Sequence, residues 1–163
     1  MGEFWDKLLY GYDYKKHKTP EATLSENMAT ITTPQRNKYG IIVVVRSSTT
    51  DEDTSNTGVN EHRPPHAHLF DRDKKELGKF ILSNETDRGL KRYTSSLPKS
   101  KDDIKELGSK QTKQGKGIEG DYKTRLFRYM TDKDEEGRFA TNWERTIDTW
   151  NKENESWKID YQG

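Results

Sequence analysis

Apolar residues fall into short groups whose spacing changes along the chain. Phe4, Trp5, Leu8, Leu9 and Tyr12 recur every third or fourth position, the repeat of a short helix with one buried stripe, and Gly11 is placed to help end it. "MATITTP" and "YGIIVVVRSS" predict two strands, since Thr, Ile and Val suit a pleated surface and Pro34 and Gly40 punctuate the segment between them. The unbroken run Ile41 to Val45 predicts a central strand buried on both faces. From Thr49 to Asn60 the chain is polar, acidic and aperiodic, which predicts a mobile loop over 49–61.

"HAHLFDRDKKELGKFILS" has the form of a hairpin: His66 to Phe70 out, Asp71 to Lys75 as the turn, Glu76 to Ser83 back. Residues 86–120 then change character. Between Arg88 and Lys116 there are nine Lys or Arg against three acids, with weak helical patches at Leu90/Tyr93 and Ile104/Leu107, so an inserted excursion with one or two short helices is expected. Ser100 ahead of Asp102 and Asp103 has the chemistry of a helix cap. Two stronger helices follow, one carrying Tyr122, Leu126 and Tyr129 on a face, the other Trp143, Ile147, Trp150 and Trp157. The expected fold class is α+β, a small antiparallel sheet with hairpins packed against a few helices, as one domain over 1–163. Its core should join the Ile41 to Val45 strand, the Leu69 to Leu82 hairpin and the tryptophan face.

Composition narrows the picture. With 28% hydrophobic and 35% charged residues, the core must be modest and lean on its aromatics. A formal charge of +1 exerts no global pull toward nucleic acid or membrane. The absence of cysteine excludes disulfides, thiolate nucleophiles and sulfur metal ligands, so any zinc must take nitrogen and oxygen. The first residues lack a basic region followed by an apolar run, and a cytoplasmic location without membrane contact is expected.

Within this frame the chemistry concentrates in "EHRPPHAHLF", which places His62, His66 and His68 inside seven residues of a chain with one other histidine, His17. On a strand His66 and His68 point the same way with Ala67 opposite, so two imidazoles are placed to share one ion. Pro64 and Pro65 stiffen the approach and lower the cost of ordering the ligands. His62 lies across that bend, and the spacing leaves open whether it reaches the same ion. Further ligands would come from His62, His17, Glu61, Asp71, Glu85, Asp87 or water. The competing explanation is a hydrogen-bonded histidine cluster without an ion. "GKGIEGD" lacks the phosphate-loop pattern, and the tryptophan spacing is that of a core stripe.

The Pro-Pro-His66-Ala-His68 segment followed by "LGKFIL", with "NWERTIDTWNKENES" near the end, resembles a family of small bacterial proteins of unknown function. These carry a proline-proline-histidine-x-histidine hairpin and a C-terminal tryptophan-containing helix. The resemblance covers residues 40–83 and 139–156, and implies a small α+β fold, a histidine site on a hairpin, and association with mobile elements and toxin–antitoxin-like loci.

Three function classes follow. The first is a zinc-supported binding protein, such as a phage or mobile-element inhibitor of a host defence enzyme of the anti-CRISPR kind, that acts by occupying a macromolecular partner. Its contact residues would be Arg88, Lys91, Arg92, Lys99 and Lys101, engaging a protein or, through the basic stretch, nucleic acid. The second is a metal-dependent hydrolase or nuclease using His62, His66 and His68. The third is a toxin–antitoxin component. The first is preferred because no acidic triad or nucleophile accompanies the histidines in sequence.

Overall fold

The computed structural model describes residues 28–47, 64–84, 93–107 and 117–163. Along these segments run β1 (Met28–Thr32), β2 (Ile42–Arg46), β3 (His66–Phe70), β4 (Glu76–Ile81), β5 (Tyr93–Ser95), a 3-10 turn at Lys101–Asp103 and β6 (Glu106–Leu107). Helix α1 (Gly120–Thr131), helix α2 (Asn142–Glu153), a second 3-10 turn at Glu155–Trp157 and β7 (Ile159–Tyr161) follow. Five strands form an antiparallel sheet in the order β1-β2-β3-β4-β6, and β5 pairs with β7 in parallel. The fold is α+β, as the hydrophobic pattern predicts. Among the described residues no helix is long and apolar enough to cross a membrane.

Strand β2 shows why the apolar run is unbroken. Val43 and Val45 enter the main core with Ala67, Leu69, Phe80, Leu126, Trp143, Ile147 and Trp150, while Ile42 and Val44 form a second cluster with Phe70. Both faces are dry, so alternation would bury polar groups. The β1–β2 connection is held by Asn37, whose Nδ2 donates to the carbonyls of Thr33 (2.7 Å) and Ile41 (2.9 Å) while its Oδ1 accepts from the Tyr39 N–H (2.8 Å). Gly40 closes the loop at φ 70°, a left-handed conformation that a side chain disfavours. In the β3–β4 hairpin the Asp71 carboxylate accepts from the backbone N–H of Asp73 (2.8 Å) and Lys75 (3.0 Å), so this residue, expected among the ion's ligands, organises the turn.

Helix α2 starts at Thr141, whose hydroxyl accepts from the Glu144 N–H at 3.2 Å, the bond that satisfies one orphan donor of a first turn. Trp143, Ile147 and Trp150 lie on its core side. Trp157 does not continue the stripe on the helix, because α2 ends at Glu153 and Trp157 belongs to the following 3-10 turn. There its carbonyl accepts from Trp150 Nε1 at 2.8 Å.

The segment expected as an excursion is corrected for its described part. Tyr93 lies in β5 and Leu107 in β6, neither in a helix, and Ile104 is fully buried. Two short strands complete the two sheets where periodicity suggested helical patches; pairing in runs this short leaves almost no pattern to read. Ser100 does cap its turn, in a reciprocal box with Asp103. The N-terminal helix expected from Phe4 to Tyr12 and the loop 49–60 lie outside the described residues.

Candidate functional site

Strand β3 presents His66 and His68 on one face and Ala67 and Leu69 to the main core. Each imidazole is 1% exposed. The ring centroids are 5.2 Å apart, and His66 lies 6.2 Å from the Trp150 ring, which ties the pair to α2. His66 Nδ1 is 3.0 Å from the Pro64 carbonyl. A carbonyl only accepts, so the proton sits on Nδ1 and the lone pair on Nε2. Pro64, foreseen as a stiffener, also orients the ring.

His68 Nδ1 is 2.9 Å from Glu76 Oε2, at the start of the neighbouring strand. Burial pushes the Glu76 carboxyl up, but the His68 hydrogen bond and charge, with Arg46 and Lys79, more than offset it and hold the carboxyl below its ordinary range. An ionised carboxylate accepts, so Nδ1 of His68 donates to Glu76. Both rings are therefore anchored at Nδ1, one by a carbonyl and one by a carboxylate.

The described residues contain no group of three or more His, Asp or Glu able to hold an ion. Of the residues expected as ligands, His66, His68 and Asp71 lie within them, and His62, His17, Glu61, Glu85 and Asp87 lie outside them.

A second buried polar group surrounds Arg145, which is 2% exposed. Its Nε donates to Asp134 Oδ1, Nη1 to the Ile31 carbonyl at 3.1 Å and Nη2 to the Tyr129 hydroxyl at 2.7 Å. Asp134 also accepts from the backbone N–H of Glu136, Arg138 and Phe139. Burial pushes its carboxyl up, and these donors together with Arg145 outweigh that and hold it below the usual range. Glu135 accepts from Thr32 at 3.1 Å and lies 3.1 Å from Arg36; burial leaves its carboxyl above the ordinary range despite both arginines. Glu136 takes Arg36 at 2.7 Å and Arg138 at 2.8 Å.

Three consecutive acids thus meet Arg36, Arg138 and Arg145, and the cluster is neutral. A cavity of about 380 Å³ beside it is lined by Arg36, Asn37, Tyr39, Tyr129, Glu135 and Asn142, among others. Hydrogen bonds within the network already engage these side chains: Tyr39 donates to Asp132 at 2.6 Å and Asn142 to the Tyr129 carbonyl at 2.8 Å. The arrangement pins the α1–α2 connection to the end of β1 and offers no spare acid–base pair.

Of the expected partner-contacting residues, Lys99 and Lys101 are exposed beside the 3-10 turn, with Lys101 Nζ 3.9 Å from Asp102. Arg88, Lys91 and Arg92 lie outside the described residues. Three residues carry more than the sequence signalled. Glu76 stood only as the first residue of the return strand, and neither Asp134 nor Arg145 belonged to a recognised motif. No family model, no curated protein and no solved structure matches the chain.

Proposed function

We propose that the protein is a small binding protein whose sheet is held by one divalent ion, zinc by preference, on His66 and His68, and that it acts by occupying a macromolecular partner. The observation that carries this reading is the burial of both imidazoles at 1% exposure with each Nδ1 anchored. An ion bound there is shielded from bulk substrate, so its work is to tie β3 to its surroundings and not to activate water for an incoming molecule. Neutral imidazole with no available thiolate favours zinc among common divalent ions. His62 is the first residue to test as a third ligand, since the Pro64–Pro65 segment returns the chain directly to β3.

The same burial ranks the hydrolase reading second, since hydrolysis needs an open coordination position and an approach path. The partner would meet the exposed lysines flanking the 3-10 turn and the basic residues before them. Inhibitors of host defence enzymes carried by mobile elements work in this stoichiometric way, and they are the class of target to screen first.

Chelation of purified, untagged protein tests the proposal. Removing the ion should lower the melting temperature by several degrees, the shift expected from about 1–2 kcal/mol in a domain of this size, and zinc should restore it. Zinc-loaded protein that hydrolyses a phosphodiester, with His66→Ala abolishing turnover at unchanged melting temperature, would overturn it in favour of the hydrolase.

A further inference from the structure

The five-stranded sheet has a second apolar face. Across β2 and β3, Ile42 pairs with Phe70 and Val44 with His68, so these four side chains stand on the side opposite Val43, Val45, Ala67 and Leu69. Ile42, Val44 and Phe70 form a cluster of their own, and Met28, the first residue of β1, is the described apolar residue packed against it. The buried apolar residues of α1, α2, β5 and β7 all belong to the other core. Yet Ile42 and Val44 are fully buried, Phe70 is 6% exposed, and His66 and His68 are equally inaccessible. A sheet face becomes this dry only beneath a second layer of side chains. The burial arises within a single chain, so a second copy is not what supplies it.

Composition decides which part of the chain can form that layer. Outside the described residues, 48–63 carries Val59 as its one large apolar residue, 85–92 carries Leu90, and 108–116 carries none. Residues 1–27 carry Phe4, Trp5, Leu8, Leu9 and Tyr12 at helical spacing. They also lead directly into Met28, which packs on the cluster. Reach is no obstacle, because the fifteen residues between Tyr12 and Met28 can extend about 50 Å, whereas five strands span roughly 20 Å.

We propose that the stripe Phe4, Trp5, Leu8, Leu9 and Tyr12 packs across β2 and β3 as the outer layer of a three-layer fold, covering Ile42, Val44 and Phe70 and closing the approach to His66 and His68. The inference does not rest on the ion: the face needs its cover whether or not the histidines hold a metal, and the variants below leave both histidines in place.

The chain has no cysteine, so Lys7→Cys, off the apolar stripe, takes a single nitroxide label in the full-length protein. Broadening of backbone amide signals should be strongest for Ile42, Val44 and Phe70 and weakest for Leu126 and Met130 of α1, across the sheet. Strongest broadening in α1, equal broadening throughout, or none among these residues overturns the proposal. So does broadening in an isotope-labelled, nitroxide-free chain mixed with the labelled one, which would seat the segment on a second copy. In a second variant, Leu8→Asp with Leu9→Asp, the amide hydrogens of β2 and β3 should exchange about tenfold faster or more, since the layer that keeps the strands closed is weakened, while Lys7→Asp leaves exchange unchanged. Unchanged exchange in the double variant also overturns the proposal. The nitroxide measurement reads the folded chain and so stands even where the double variant unfolds.

Discussion

The two buried polar groups of this molecule are built on opposite principles. Around Arg145 the charges cancel within one cluster: three arginines face three carboxylates, and Asp134 alone gathers three backbone N–H groups as well as the guanidinium. Around His66 and His68 the described partners, a carbonyl and one carboxylate, both act at Nδ1. Those bonds turn the two Nε2 atoms away from Pro64 and Glu76. The first group completes itself and behaves as structural cement. The second orients each ring through a single described bond at Nδ1. Burial alone does not distinguish the two, since Arg145 and both histidines are all almost inaccessible; the number of charges gathered in each does.

The largest expected effect breaks the self-contained cluster. Arg145→Ala should lower stability by about 3–5 kcal/mol in denaturant titration, because it strands the Asp134 carboxylate in a dry site. Replacing Arg145 and Asp134 together by apolar residues of similar volume should recover part of that loss, which marks the cost as that of an uncompensated charge. A loss below about 1 kcal/mol for the single variant would show that water reaches the cluster.

Next comes the aromatic that links the histidines to the helix. Trp150 is 2% exposed and donates to the Trp157 carbonyl, so Trp150→Ala should cost about 3–5 kcal/mol. Trp150→Phe keeps most of the ring contact and is expected to cost less.

Acid separates the carboxylates by sign. The folded-state pKa values of Asp134, Glu136 and Glu76 are depressed. The stability they contribute is therefore present above the ordinary carboxylate range near pH 4 and is lost as pH falls through their lower folded values. Glu135 is raised and works the other way, disfavouring the fold where it is ionised and easing that penalty as it protonates. Stability measured by denaturant should drop below about pH 4, and Asp134→Asn should flatten that drop while lowering the plateau. An unchanged slope in Asp134→Asn would remove Asp134 from the account.

The legibility of the fold followed the strength of each pattern. The β3–β4 hairpin, the two-faced β2 and both helices were readable because five- to six-residue strands and twelve-residue helices repeat their period often enough to be seen. Strands β5, β6 and β7, of two or three residues each, do not, and the pattern over 86–120 reads as an insertion with one or two short helices, of which the described part holds the capped 3-10 turn at Lys101–Asp103. The two histidines were legible from i, i+2 spacing alone. Their anchors were not: Pro64 was read for its ring and acts through its carbonyl, and Glu76 reaches His68 only through strand register.

Arg145 was the hardest case. It lies off the Trp143, Ile147, Trp150 stripe, where periodicity predicts solvent, and is buried because the Asp134 to Glu136 segment folds over that side of α2. No one-dimensional period encodes a loop that packs back on the polar face of its own helix.

A smaller effect would sharpen the contrast from the histidine side. Because the His66 ring lies 6.2 Å from Trp150, ion binding should change tryptophan emission measurably, and Trp150→Phe should remove most of that change. Equal emission changes with and without Trp150 would move the ion away from this pair.

The most direct measurement is metal stoichiometry on untagged protein, by elemental analysis after zinc loading and exhaustive dialysis, in the parent chain and in His66→Ala, His68→Ala and Glu76→Gln. One tightly held zinc per chain is predicted, lost in either histidine variant and held roughly 10- to 100-fold more weakly when Glu76 no longer supports His68. A parent chain that retains no ion after loading, or one that keeps the same ion with both histidines replaced, would contradict the claim that this histidine pair is built around a metal.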